Sequence, residues 1–507
     1  MPRRREGGDL CAIFIHAGAG FHSRLNEKIH LAAVNDAALV AMAVLKNGGS
    51  ATDAVEMAIR LLEDKEITNA GYGSNLTMDG SVECDATLVD YKGRSGAVGA
   101  MAQVKNPIAA ARIVLDESIK PLTLSRVPPN LLVGAGATDF AHAKGLPILP
   151  PDFLVSAGAR DRWMRWKQDL RNVEDRASRT QTLEQRPASG QLTVSPKSSR
   201  TRTANQTAPP ERQSDLPSIS SVIESVQDVP AGSTLTRSRE DRSSLPNAGG
   251  TVSSRASIST PDNEADNDSG VDDNLQWLAS PPKRQKMSGP SDGSMDFENP
   301  LTQSEACLTT KQDSDENEGR EDDITDTVGA IAVDCFGRIA AGSSSGGIGM
   351  KRKGRCGPAA LVGVGTAVIP VDPDDLSETS VATLTSGTGE HMAITSAAAI
   401  AAERIYTSTR KRETRLERCN EDEALHAVIT RDFLQHPGVA SSPCQGAIGI
   451  LAVKKTRDGI YFYFGHSTES FVIASMHSEE RRPVCTMSRN NGPGSIAQGG
   501  RVSRSRT

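Results

Sequence analysis

Apolar positions in this chain fall into two patterned stretches separated by a long one without pattern. The first stretch opens on the run CAIFIH, Cys11 to His16, which predicts a buried strand breaking into AGAG at Ala17 to Gly20. From Asn26 to Lys46, Ile29, Ala33, Ala37, Val40 and Val44 recur at helical spacing; Asn47-Gly48-Gly49 stops that helix, and Ser50 or Thr52 caps a second one running through Glu63. Thr68 to Asp90 reads as a glycine-rich loop and a strand, with RSGAVGAM as the next strand after a short turn. NPIAAARIVLDES, from Asn106, predicts a helix with proline in its first turn, and Val133 to Leu146 a further helix.

Pattern returns abruptly at Asp326. DTVGAIAVDCFGRIAAGSSSGGIG predicts a β-hairpin, with Val328, Ala330 and Ala332 alternating against Gly329 and Ile331, a turn at Asp334 to Gly337, and a second strand from Arg338 to Ser343. SVATLTSGTGEHM predicts a strand entering a loop, Gly389 to Tyr406 one alanine-rich helix, and Asp422 to Leu434 another. GAIGILAVKK and IYFYFGHST predict a last pair of strands, and the polar end RVSRSRT a loose tail.

Composition changes the reading of the middle. Of 18 aromatic residues, only Trp277 and Phe297 lie between Gln168 and Asp326. A stretch so poor in aromatics and rich in Ser, Arg, Asp, Glu, Pro and Gln buries too little apolar surface to offset the entropy of ordering it. The expected organisation is therefore a disordered start (1–10), an ordered piece (11–167), a disordered insert (168–326), a second ordered piece (327–475) and a flexible tail (476–507). Strand-rich pieces flanked by paired helices predict a layered α/β fold, helices outside and antiparallel sheets within.

Charge and cysteine usage exclude several classes. With 57 basic and 63 acidic residues and a net charge of -6, no chain-wide field recruits nucleic acid or an acidic membrane. No run is read as approaching the roughly 18 apolar residues a membrane span needs, and the basic start Met1 to Arg5 leads into Glu6-Gly7-Gly8-Asp9, so neither secretion nor a membrane is expected. Eight scattered cysteines form no Cys-x-x-Cys pair, which predicts reduced thiols and no zinc site. Lys283, Arg284 and Lys286 in PPKRQKM form a short basic cluster of the nuclear-import kind, giving an expected nuclear and cytoplasmic localisation.

The chemistry points to Thr327. An acidic run, Asp313 to Asp326, ends where the strand begins, and a threonine there suits an amino-terminal nucleophile. Cutting between Asp326 and Thr327 gives Thr327 a free α-amine with an unperturbed pKa of about 7.7–8.0, so nucleophile and base share one residue. Histidines His16, His391 and His466 are read as structural. The glycine-rich SSSGGIGMKRKGR lacks the phosphate-loop spacing despite Lys351, Arg352 and Lys353, and Asp53, Glu63 and Glu390 are read as capping or salt-bridging groups.

Five motifs in order now carry a resemblance: HAGAG at His16 to Gly20, NAGYGSN at Asn69 to Asn75, Thr327-Val328-Gly329-Ala330 with the downstream SSGG, Gly354-Arg355, and TSGTGE at Thr385 to Glu390. Together they resemble the type 2 asparaginase family of Ntn hydrolases, and they span both ordered pieces. HAGAGFHS, ATDAVEMAIRLLED, ECDATLVD, PPNLLVGAGA and HSTES narrow the likeness to a branch that cleaves proteins after aspartate. The resemblance implies a four-layer αββα sandwich, synthesis as one inactive chain, autocleavage, and a homodimer of cleaved units. It implies Thr327 as nucleophile, Ser345 as the hydroxyl that polarises it, and Asn69 and Gly18 as site-lining residues. Ser386, Gly387 and Gly389 lie in the segment that supports an oxyanion and substrate, and Arg355 is the grip on a substrate carboxylate. No catalytic metal or cofactor is implied, although the loop through Thr68 to Ser74 matches a structural sodium site.

Two departures bear on substrate. Where small-molecule asparaginases carry an aspartate for the substrate's α-amine, three residues after the arginine, this chain has Pro358. The residue before the nucleophile is Asp326, whose carboxylate suits Arg355 during self-cleavage. Both favour an aspartate inside a protein substrate. A small-molecule amidase acting on asparagine, isoaspartyl or glycosylasparagine bonds, and a non-enzymatic scaffold on an inactive hydrolase core, stay open as alternatives. A D-S-G-V-D-D run at Asp268 to Asp273 is read as chance.

Overall fold

The structure, a computed structural model, describes residues 10–184, 327–492 and 494–504, with the side chains of the first stretch described to residue 178. Asp326, the basic cluster at Lys283, Arg284 and Lys286, the Asp268 to Asp273 run and the expected disorder of the first nine residues lie outside these. In chain order the elements are β1 (Ala12–Gly20), α1 (Glu27–Lys46), α2 (Ala51–Glu63), β2 (Cys84–Val89), β3 (Ser95–Met101), α3 (Pro107–Ser118), β4 (Leu131–Val133), α4 (Gly134–Ala143) and α5 (Ala157–Glu184). From Thr327 on come β5 (Val328–Val333), β6 (Ile339–Ser345), β7 (Thr366–Ile369), β8 (Ser380–Gly387), α6 (Gly389–Thr395) and α7 (Ala397–Thr407). The hairpin β9 (Thr409–Arg412) and β10 (Arg415–Arg418), α8 (Glu421–Ala427), β11 (Ile448–Thr456), β12 (Gly459–His466), β13 (Ser470–His477), β14 (Val484–Arg489) and β15 (Ala497–Arg504) complete the order.

Period-two burial along the central strands explains the layering. In β1, Ile13 and Ile15 point into one apolar cluster and Ala12 and Phe14 into another; in β5, Val328, Ala330 and Ala332 join the first and Ile331 and Val333 the second. The first cluster fills the space between α1, α2, α3 and an eight-stranded sheet of order β14-β13-β1-β5-β6-β2-β3-β4. The second lies between that sheet and a five-stranded one of order β15-β12-β11-β8-β7, with Phe14 stacked on Phe462 at 4.9 Å. A third, built on Val381, Ala401, Ile405, Leu425, Ile448 and Ile450, seats α7 and α8 on the outer face of the smaller sheet. The larger sheet takes four strands from each side of the insert.

Local signals fix the helices. Ser50 accepts from the Asp53 amide and Asp53 returns a bond to the Ser50 amide, a reciprocal cap at the start of α2. Pro107 opens α3 as its composition predicts. α1 is long and apolar enough to cross a membrane, with a mean hydropathy of 1.5 over 18 residues, so the reading that no run approaches that length is corrected. Its Ala33, Val34, Ala37, Ala41 and Leu45 are buried against the sheet instead.

Other expectations differ from the structure for identifiable reasons. The single helix predicted over Gly389 to Tyr406 is two, divided at Ser396 in the left-handed region (φ 49°), because the first amides of α7 are bound by the carbonyls of Val364 and Gly363. The tail predicted from residue 476 as flexible is instead edge strands β14 and β15, paired with β13 and β12. Their polar sequences, VCTMSR and AQGGRVSR, suit half-exposed edges and lack the alternation that marks a buried strand. The insert boundary also moves: α5 continues to Glu184, so residues 168–184 are helical. Its first turns hold the core through Trp163, whose indole donates to the Thr77 carbonyl at 2.9 Å, while from residue 168 its described side chains are exposed.

Glu63, at the end of α2, is fully buried. Oε1 accepts from the Ile108 amide (3.0 Å) and Ser344 hydroxyl (2.7 Å), whereas Oε2 has no partner. Burial raises its pKa to about 8. The folded state therefore holds a proton that the unfolded state releases near pH 4.5, and stability falls as pH rises from there through about 8. Glu63→Gln reproduces the protonated shape and removes this slope. Thermal denaturation from pH 5 to 8.5 is expected to show the variant gaining on the parent with pH, by about 3–5 kcal/mol at the alkaline end.

Candidate active site

β5 places Thr327 at the edge of the described chain, in the middle of the larger sheet. Pairing of β5 with β1 sets Gly329 opposite His16, and pairing with β6 sets Val328 opposite Ser344. This brings Ser345 alongside Thr327, whose Oγ1 donates to Ser345 Oγ at 3.1 Å. Ser345 Oγ also accepts from the Gly347 amide at 3.0 Å, which fixes its position. An acceptor on the threonine hydroxyl raises electron density on its oxygen, as a nucleophile there would need.

Asn69 acts one step behind. Its Nδ2 donates to the Gly347 carbonyl (2.8 Å), its Oδ1 accepts from the Asn75 amide (2.9 Å), and its carbonyl accepts from the Gly346 amide (2.8 Å). It therefore clamps the Gly346-Gly347 turn that orients Ser345. Gly18 sits in the β1 bulge between His16 and Ala19 with φ 110°, a conformation that favours glycine. The bulge turns the Ala19 amide onto Ser386 Oγ (3.1 Å), so Gly18, Ser386 and Gly387 (φ 139°) meet where β1 and β8 approach.

Arg355 lies across the same turn. Three glycines surround its guanidinium: a Cβ at Gly347 or Gly357 would stand 2.8 or 2.6 Å from Nη1, and one at Gly389 2.6 Å from Nη2. Nε and Nη2 donate to Glu390 Oε1 at 3.0 and 2.9 Å, in accord with the salt-bridging reading of Glu390. Pro358 packs beside it, with Cδ 2.8 Å from the position a Gly389 Cβ would take. Of the neighbouring carboxylates, Glu390 is committed to Arg355. Asp85 is buried and accepts from the Ala100 and Gly357 amides at 2.8 and 2.6 Å.

Residues that motif reading passed over hold this loop from beneath. Lys351 is 2% exposed, and its Nζ donates to the carbonyls of Glu83 (2.6 Å) and Gly346 (2.9 Å). Glu83 Oε2 accepts from the Gly354 amide (2.8 Å). The segment is thus tied at 346, 354 and 357, and Lys351 is turned inward, away from any phosphate. Burial raises the pKa of Asp85, opposed by the nearby Lys351 charge. The signal was present only as a lysine inside a glycine-rich run.

The three histidines singled out in the sequence are all buried. His16 is fully buried, and burial lowers its pKa to about 3, partly offset by the Thr327 backbone. His466 bonds Thr468 and Ser488, and burial lowers its pKa to about 4. Both stay neutral at physiological pH. On the loop behind Asn69, the carbonyl oxygens of Glu66 and Thr68 crowd the place a Gly73 Cβ would take, so two backbone oxygens of the kind a hard cation takes lie close to Gly73.

Comparison with known proteins agrees with this arrangement. The family model described as Asparaginase matches residues 10–199 and 285–458, well over half the chain. An isoaspartyl peptidase/L-asparaginase from Xenopus laevis is 41% identical over 154 residues, 30% of this chain and 47% of that protein. A plant-type L-asparaginase from Pyrococcus abyssi is 45% identical over 141 residues (27% and 43%), and a putative isoaspartyl peptidase/L-asparaginase from Dictyostelium discoideum 36% identical over 169 (32% and 46%). The chain spans about half the length of these curated relatives. With a threonine, a serine and an arginine from after the insert gathered around a turn that Asn69, from before it, clamps, and the family model matched on both sides, this chain belongs to the asparaginase family of Ntn hydrolases.

Proposed function

We propose that the chain is a threonine endopeptidase, similar to threonine aspartase (taspase), that cleaves itself between Asp326 and Thr327 and then cleaves protein substrates after aspartate. The observation that carries the reading is the surroundings of Arg355: a guanidinium for a carboxylate, with Pro358 where an α-amine's partner would stand, Glu390 already paired, and Asp85 buried under two amides. A substrate aspartate within a polypeptide fits those groups; a free amino acid does not. The helices on the outer faces of two stacked sheets support reading the fold as the αββα sandwich of Ntn hydrolases.

In maturation, Thr327 Oγ1 attacks the Asp326 carbonyl and the peptide nitrogen leaves as the Thr327 α-amine, taking up the proton lost from Oγ1; water then hydrolyses the ester, releasing the Asp326 carboxyl group and restoring the Thr327 hydroxyl. In trans, that amine takes the Oγ1 proton as the oxygen attacks the carbonyl after a substrate aspartate. The amide nitrogen leaves with a proton, and water releases the acyl-enzyme. Ser345 polarises the nucleophile, Asn69 holds its turn, Arg355 binds the aspartate, and Gly18, Ser386, Gly387 and Gly389 line the far wall. A sodium ion on the Glu66 and Thr68 carbonyls would brace the loop behind Asn69 and supply no chemistry. A homodimer of cleaved units and a nuclear and cytoplasmic location belong to the same reading.

The printed names of the relatives favour a second reading, a small-molecule isoaspartyl peptidase or L-asparaginase. One experiment separates the two. Matured protein is offered a ten-residue peptide with an internal aspartate, a β-aspartyl dipeptide and asparagine. Cleavage of the peptide at the aspartate, with kcat/KM at least about a hundred-fold above either small substrate, is expected; the reverse order would favour the amidase.

A further inference from the structure

Arg355 meets Glu390 in a lopsided way. Both Nε and Nη2 donate to a single oxygen, Glu390 Oε1, so Glu390 takes the side edge of the guanidinium. The other edge, Nη1 with the remaining Nη2 hydrogen, faces the Gly346-Gly347 turn next to Ser345: Nη1 lies 2.8 Å from where a Gly347 Cβ would stand. Gly357, with Asp85 Oδ2 beside it, presses on the same Nη1 and Gly389 on Nη2, so the flat group has little room to turn; Asp85 itself accepts from the Ala100 and Gly357 amides. The Arg355 side chain is 15% exposed and that of Glu390 62% exposed, which puts the glutamate on the solvent side and the arginine within.

We infer that Glu390 is a positioning residue for substrate recognition: it fixes Arg355 by one edge so that the other is presented as a bidentate fork to the substrate's carboxylate. This deepens the reading that Arg355 binds an aspartate and rests on it. A planar guanidinium offers two edges of paired donors, and a bidentate carboxylate needs one of them whole. With the side edge occupied, an incoming carboxylate has a single approach, from the side of the nucleophile. An ion pair this exposed contributes little to folding. Its effect therefore falls on binding and leaves stability unchanged.

The test uses matured protein, the ten-residue aspartate peptide and its asparagine counterpart, with two variants. Glu390→Gln keeps an oxygen for the side edge; Glu390→Ala removes it. Glu390→Ala is expected to raise KM for the aspartate peptide about ten-fold with kcat within about two-fold, while KM for the asparagine peptide stays put. Glu390→Gln is expected to restore most of that loss, and both variants to melt with the parent. Equal KM changes for the two peptides, a fall in kcat alone, or no rescue by glutamine would each overturn the inference. If the parent ignores both peptides but hydrolyses a β-aspartyl dipeptide, the endopeptidase reading fails. The same variants then test Glu390 against that dipeptide's α-carboxylate, with the same KM criterion.

Discussion

Thr327→Ala protein is expected to purify as one 53.7-kDa chain, while the parent resolves by mass spectrometry into fragments 1–326 and 327–507. Loss of trans activity on the aspartate peptide should exceed about a thousand-fold, the scale on which removal of a covalent nucleophile acts. The geometry explains why no neighbour substitutes. Ser345 is 3.1 Å away, but it sits inside β6, and its oxygen already accepts from Thr327 and the Gly347 amide. His16, close to the Thr327 backbone, is fully buried and neutral. Thr327→Ser keeps the hydroxyl and is expected to cleave slowly. An uncut Thr327→Ala chain that retains full peptide cleavage would remove the threonine from the mechanism, and an uncut parent still needing its insert for function would point to a scaffold.

Arg355→Gln should show the second largest effect, and on two reactions at once. Removing one partner of a charge-assisted pair leaves a desolvated carboxylate unmatched, at about 2–4 kcal/mol or some 30- to 1,000-fold. Because Asp326 and a substrate aspartate are proposed to use the same guanidinium, self-cleavage in a refolding time course and kcat/KM on the aspartate peptide should fall by similar factors. Activity on an asparagine peptide should fall far less. Slow trans cleavage with maturation at the parent rate would mean that Asp326 is held elsewhere, and would separate the two pockets.

The candidate reacting groups came from the resemblance: Thr327 opening a strand, Ser345 before two glycines and Arg355 after a glycine fall on motifs that run in the family's order, and none of the three would have stood out alone. What supports them was not legible. Lys351 reads as one of three basic residues on a loop, and only the fold shows that it is buried and bonded to the Glu83 and Gly346 carbonyls. Glu63 looks like the polar end of a helix until α3 and β6 close over it. The same limit applies to secondary structure. Edge strands such as β15 have no apolar alternation to read, residues 168–184 have the composition of a disordered segment yet continue a helix, and the break at Ser396 is imposed by Val364 and Gly363 from another part of the chain.

The strand order of the larger sheet bears on what the proposed cut would do. β1, from before the insert, lies between β13 and β5, from after it, and β2 adjoins β6. The two fragments are thus interleaved like fingers, joined by three ladders that a broken backbone at residue 326 leaves intact. In a chain cut there, neither fragment could leave without dismantling the sheet, so the proposed cut would be a one-way covalent edit: fragments from different molecules are expected not to exchange, each keeping the partner it was translated with.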